Sequence, residues 1–261
     1  MSRPPVRTPI PVDVWARLRS ATDARIGLGR SGEALPTRAM LDLQYAHALA
    51  RDAVHEPLAV ESILRALDGL PTVVVESQAG DRHTYLTRPD LGRRLALADG
   101  ERLTATGADL AITLGDGLSA GAVAESGPPL VHALLARLPS WTPAPIVVAR
   151  QARVALGDEI GARLGVQVVV MLIGERPGLS APASLGAYIT WNPAVGRLDA
   201  ERNCVSNIRP AGLGIDEAAG RIAWLVDAAR RLRLTGVGLK DAYPEEVVRL
   251  EPPPRDRDLG A

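Results

Sequence analysis

The spacing of apolar and polar positions changes character once along this chain, near residue 72. Upstream the pattern reads as helices: a short one over 13–20, a long one opening near Pro36-Thr37 and running to about Val54, and another over about 59–67. Proline suits the first turn of the long helix, where its missing N–H costs nothing. Arg25-Ile26-Gly27-Leu28-Gly29-Arg30-Ser31-Gly32 forms a glycine-rich loop before it. From Val73 onward, short apolar runs alternate with amphipathic segments. Strands are expected at Val73–Glu76, Leu110–Leu114, Ile146–Ala149, Val166–Ile173 and Ala187–Trp191, with helices at about 89–98, 118–126, 130–138, 153–164 and 215–233. The uncharged run Val168-Val169-Val170-Met171-Leu172-Ile173 reads as a strand covered on both faces. Such alternation predicts an α/β fold, a parallel sheet flanked by helices (Rossmann-like) with right-handed crossovers, carrying a helical N-terminal extension.

The expected organisation is a flexible Pro/Arg-rich tail over 1–12, a helical region over 13–70, an α/β ligand-binding domain over 71–241 and a disordered tail over 242–261. Composition narrows the chemistry. The chain has no Phe, so Val, Leu, Ile and Ala must fill its core. Thirty acids balance thirty bases, which removes any general attraction to nucleic acid or to a membrane surface. One cysteine excludes an internal disulfide and suits a reducing compartment. No apolar run is long enough for a membrane span and none resembles a signal peptide, so a cytoplasmic location is expected.

Two glycine patterns invite a nucleotide reading. Gly27-x-Gly29-x-x-Gly32 has the spacing but no preceding strand. Gly115-Asp116-Gly117-Leu118-Ser119-Ala120-Gly121 follows a strand, yet its spacing is one residue too long and Asp116 would repel a pyrophosphate. A rim turn, able to line a ligand cleft, is the better account. His47 and His55 lie about 12 Å apart on the long helix, too far to share a metal, with Arg51 between them. Asp81-Arg82-His83-Thr84-Tyr85-Leu86 nearly spells a cobalt-ligating motif, but Leu86 stands where that turn needs glycine. No metal ligand is therefore expected from these histidines. Val154 falls off the core stripe of the 153–164 helix, in its first turn after a strand end, where it would suit an apolar ligand or a partner. Glu175 follows another strand end on the same rim, where open α/β sheets bind ligands. It could accept hydrogen bonds from a ligand or pair with Arg176. Cys204 lies in a segment of unassigned structure, and a lone cysteine reads first as a small buried hydrophobe.

Several longer blocks occur in one order: Arg25-Ile26-Gly27-Leu28-Gly29-Arg30, Leu35-Pro36-Thr37-Arg38, Ala50-Arg51-Asp52-Ala53-Val54-His55, Asp116-Gly117-Leu118-Ser119, Arg150-Gln151-Ala152-Arg153-Val154-Ala155, Gly174-Glu175-Arg176-Pro177-Gly178-Leu179 and the stretch from Asp199 to Pro210. With these blocks the chain resembles the small subunit of ethanolamine ammonia-lyase from about Asp13 to Asp241. The resemblance implies a non-catalytic partner of a large TIM-barrel subunit, with adenosylcobalamin between the two and the radical chemistry on the large subunit. It places cobalamin contacts on Val154, Glu175 and Cys204. It also implies that the isolated chain has no lyase activity. Some family members carry a longer helical extension thought to direct the enzyme into a bacterial microcompartment. Only a short proline-rich tail precedes Val12 here, so the microcompartment is the weaker alternative to the cytoplasm. Two rivals stand beside this reading: a nucleotide-dependent oxidoreductase using the Gly115–Gly121 turn, and a non-catalytic scaffold subunit.

Overall fold

The computed structural model describes residues 14–244, so the segment 1–12 and all but three residues of 242–261, both expected to be tails, lie outside the described residues. Six strands make one sheet: β1 (Thr72–Glu76), β2 (Leu110–Gly115), β3 (Ile146–Arg150), β4 (Val168–Gly174), β5 (Leu185–Trp191) and β6 (Asn203–Ile208), in the order β1-β3-β2-β4-β5-β6. The first four run parallel. β5 is antiparallel to β4 and β6 antiparallel to β5, so the sheet is mixed and the expectation of a wholly parallel one is corrected. Chain length explains this. A parallel crossover needs about a dozen residues or more, usually including a helix, and only the loop of residues 175–184 joins β4 to β5.

Eight helices accompany the sheet among the described residues: α1 (Val14–Arg19), α2 (Thr37–His55), α3 (Val60–Ala66), α4 (Arg82–Thr87), α5 (Leu97–Arg102), α6 (Ala120–Arg137), α7 (Leu156–Leu164) and α8 (Ile215–Leu232). Two helix expectations change. The helix placed at 89–98 is instead a single 3-10 turn at 91–93 followed by α5. Pro89 bars helical geometry at Arg88, so α4 stops at Thr87. The helices placed at 118–126 and 130–138 are one, because α6 runs straight through Pro128 and Pro129. Burial of Ser126, Gly127, Pro128 and Leu130 along its inner side outweighs the hydrogen bonds those prolines cannot make.

The sheet divides two cores. On one face α3, α6 and α8 cover all six strands: Ile63, Leu130, Leu134, Ile222, Leu225 and Val226 pack on Val148, Ile112, Val170, Ile189 and Val205. On the other face Leu156, Ile160 and Leu164 of α7, with Leu95 and Leu103, pack on Val147, Ala111, Val169 and Met171. Connections from β1 to β2 and from β3 to β4 run toward the β6 edge and put their helices on this second face. The return from β2 to β3 puts α6 on the first, as crossovers of one hand require. Only Tyr188 of β5 joins the second core, and it is half-buried. Beyond β4 the cover on the second face thins: Asp158 of α7 still pairs with the buried Arg202 ahead of β6, whereas Cys204 and Ser206 are exposed.

The N-terminal helices divide differently. Val60 and Ile63 of α3 are part of the first core. α1 has no buried residue and α2 only Ala46. Trp15, Leu41, Tyr45 and Leu49 are exposed on them.

Candidate functional site

The carboxyl ends of β2, β3 and β4 meet at a rim, and glycine makes their meeting possible. Gly117 has φ +54°, and a Cβ there would overlap the Gly174 carbonyl. A Cβ on Gly174 would in turn overlap the carbonyls of Asp116 and Ser119. Leu118 N donates to Gly174 O at 2.9 Å, which ties the β2 turn to the end of β4. Asp116 is 3 % exposed and its carboxylate accepts from Gln151 N and Ala152 N, both at 2.8 Å, which ties the same turn to β3. Burial pushes this carboxyl up, against those two amides and Arg82 at 3.7 Å. Leu118 N and Ser119 N are bonded within the protein. Two of the turn's amides are thus committed within the protein, and the Asp116 carboxyl occupies the turn, which counts against a pyrophosphate there.

At this rim lies a cleft of about 430 Å³ whose walls include Tyr85, Leu118, Arg153, Val154, Glu175 and Tyr188. Val154 and Glu175, singled out separately in the sequence, therefore share one cavity. The local reason for Val154 differs from the expected one. α7 begins only at Leu156, and Val154 sits in the turn between β3 and α7, partly buried against the second core. Cys204 does not line the cavity. It stands one strand further out, paired with Tyr188 across β5 and β6, and it is exposed rather than buried as its residue type suggested. Met171, Tyr188 and Cys204 lie in one row across β4, β5 and β6. Their exposure rises outward along the row, from buried through half-buried to open. Although the residue is open on its outer side, partial desolvation of the thiol pushes it up, against a hydrogen bond with Tyr188 that lowers it, and keeps it protonated at neutral pH.

Glu175 is held in place. Its carboxylate accepts from Ser184 Oγ at 2.6 Å, Ser206 Oγ at 2.8 Å and Asn207 N at 3.1 Å, and it forms no ion pair with Arg176. It lies over Gly186, where a Cβ would come within 2.9 Å of Oε1. One carboxylate thereby joins the end of β4 to β5 and β6. Ser184, Ser206 and Asn207 were not anticipated from sequence. A signal existed in Asn203-Cys204-Val205-Ser206, whose polar–apolar alternation reads as a strand with one open face.

Tyr85 and Arg153, the cleft's far wall, were also not singled out. Asp81 accepts from Thr84 N at 2.8 Å and caps α4, so the near-match to a cobalt motif is a helix start with His83 exposed upon it. This α4 turns the buried Tyr85 toward the cleft, where its hydroxyl donates to Ala152 O at 3.2 Å. Burial raises the Tyr85 phenol to about 12. His47, Arg51 and His55 are all exposed along α2. Among the described residues no three His, Cys, Asp or Glu side chains gather as a metal site, and no helix is long and apolar enough to cross a membrane.

These features define a class: an α/β chain with a ligand cleft at the carboxyl rim of its parallel strands. Comparison with known proteins gives the family. Residues 12–240 match the model of the ethanolamine ammonia-lyase light chain (EutC). The chain is 52% identical over 258 residues to the ethanolamine ammonia-lyase small subunit of Azotobacter vinelandii strain DJ, covering 94% of each chain. It is 55% identical over 232 residues to that of Rhodopseudomonas palustris strain BisA53, covering 86% of this chain and 88% of the relative. To that of Pseudomonas fluorescens strain SBW25 it is 46% identical over 264 residues, covering 97% and 95%. The chain belongs to the ethanolamine ammonia-lyase light-chain family.

Proposed function

We propose that this chain is the small subunit of an ethanolamine ammonia-lyase and forms one wall of an adenosylcobalamin site that a large subunit closes. One observation carries the reading: the rim cleft is lined by α4, by the turns after β2, β3 and β4 and by Tyr188 of β5, and Tyr188 continues into the exposed Cys204 and Ser206 of β6. Cavities that enclose a drug-sized ligand run to roughly 300–1,000 Å³. A corrinoid is larger than such ligands, so a cleft of about 430 Å³ would hold one edge of it and leave the rest to another surface.

The residues fit that group. Val154 and Tyr188 offer apolar surface and Arg153 offers donors, one of them a buried Nε with no partner among the described residues. Val154, Glu175 and Cys204 would hold the corrinoid's edge, Glu175 by keeping β5 and β6 in register with the rim. Adenosylcobalamin when bound supplies radical chemistry through homolysis of its cobalt–carbon bond. This chain's part is to position the cofactor and exclude water. The substrate, ethanolamine, would be bound and converted to acetaldehyde and ammonia on the large subunit, which the family resemblance casts as a TIM barrel. The exposed Trp15, Leu41, Tyr45 and Leu49 add apolar surface of the kind that subunit contacts use. The assembly is assigned to the cytoplasm.

Co-expression with a large subunit is the test. Adenosylcobalamin-dependent acetaldehyde release from the pair, and none from either chain alone, is the expected result. Activity of this chain alone, or a pair that binds no corrinoid, would contradict the reading.

A further inference from the structure

Tyr85 is bracketed by two guanidinium groups, Arg153 with Cζ 4.1 Å from the ring centroid and Arg82 at 4.6 Å. Each has one buried nitrogen without a partner among the described residues, Arg82 Nη2 and Arg153 Nε, but their other commitments differ. Arg82 donates from Nε to Val54 O at 2.6 Å, reaches Gln151 Oε1 at 3.4 Å and faces Asp116 at 3.7 Å. Asp116 is itself occupied by two backbone amides. Arg153 lines the cleft, and its side chain makes one hydrogen bond, from Nη2 to Tyr85 O at 3.0 Å. Its Nε is buried without a partner. Arg176 lines the opposite side of the cleft, is exposed, and has no ion pair among the described residues. Glu175, the acid between them, turns its carboxylate to Ser184, Ser206 and Asn207 instead.

The cleft wall thus carries cationic donors that no carboxylate among the described residues pairs with. Buried or half-buried guanidinium groups are found paired, because leaving their donors unmade is costly. An acceptor with negative charge is therefore missing from the site. A guanidinium fork held over an aromatic ring is an arrangement suited to phosphate oxygens. The amide side chains around a corrinoid ring are neutral, whereas the nucleotide loop of cobalamin carries one anionic phosphodiester.

We propose that Arg153, stacked on Tyr85 and assisted by Arg176, is a subsite for the phosphodiester of the cofactor's nucleotide loop. This rests on the cobalamin reading above. It also gives the small subunit a selective role, since the site would discriminate complete cobalamin from corrinoids lacking the loop.

The test compares adenosylcobalamin with adenosylcobinamide, which lacks the phosphodiester and base, by spectroscopic titration of the assembled enzyme. Arg153→Met should weaken adenosylcobalamin by roughly 10- to 100-fold, the range of a lost charge-assisted pair. Its affinity for adenosylcobinamide should change less than about twofold, within the scatter of neutral surface changes. Arg153→Lys keeps the charge without the fork and should recover part of the loss. Arg176→Gln, at an exposed position that bears no part of the fold, should cost about two- to fivefold for adenosylcobalamin alone. It decides the matter if Arg153→Met fails to fold. Equal losses for both corrinoids, or none for either, overturn the subsite. Intact cofactor affinity with weakened association of the two chains also overturns it, since Arg153 would then serve a carboxylate of the partner. A wild-type assembly that takes up neither corrinoid overturns the cobalamin reading itself, and the subsite with it.

Discussion

The two faces of the sheet are built from the same strands and finished differently. On the first, α3, α6 and α8 cover every strand from β1 to β6. On the second, α7 and its neighbours cover β1 to β4 and reach further only at one end, where Asp158 of α7 pairs with the buried Arg202, leaving Tyr188 half-covered and Cys204 and Ser206 open. The strands record the difference in their side chains. Leu185, Ala187, Ile189 and Val205 point to the finished face, and Gly186, Tyr188, Cys204 and Ser206 to the unfinished one. On the reading proposed above, this open face beside the cleft is where the cofactor and the large subunit would sit. The finished face supplies the stability that lets the other remain open.

Substitutions can break or sharpen that contrast. Gly174→Ala should be the most damaging, because its Cβ would meet backbone carbonyls at the junction both faces share; a loss of about 3–5 kcal/mol in urea unfolding is expected. On the finished face, Leu225→Ala beneath β5 and β6 should cost about 2–5 kcal/mol. At the boundary, Glu175→Gln weakens three accepted hydrogen bonds and should cost about 1–2 kcal/mol. A cost near zero would mean that the carboxylate does not join β4 to β5 and β6. On the open face, Cys204→Ser should change stability by less than about 0.5 kcal/mol while still lowering cofactor affinity in the assembly. If instead Cys204→Ser destabilised as much as Leu225→Ala, the two faces would not differ as described.

Much of this was legible in the sequence. The five strands anticipated there all exist, and Val154 and Glu175 share the rim because a strand's end is marked by the switch from uncharged β-branched residues to Gly, Pro and charge. Other features were hidden for physical reasons. Strand direction depends on the length of the connection, and the residues between Gly174 and Leu185 are too few for a crossover helix. β6 is short, with a polar outer side, so its hydrophobic signal rests on Val205 and Ile208 alone. Pro128 and Pro129 looked like a break because the packing that overrides them is tertiary. The bracket of Arg82, Tyr85 and Arg153 joins residues about seventy positions apart, which no local pattern can disclose.

The chain's single cysteine stands on the unfinished face and reports on it directly. In the isolated chain, partial desolvation holds the thiol above its ordinary range, so alkylation should be slow at neutral pH and speed up in alkaline solution. The decisive measurement is the rate of Cys204 alkylation, at one alkaline pH, in the chain alone, with a large subunit, and with both large subunit and adenosylcobalamin. If the bare half of the face is where the cofactor and partner sit, the rate should fall on assembly and fall further when the cofactor is added. A rate unchanged across all three states would show that nothing docks there.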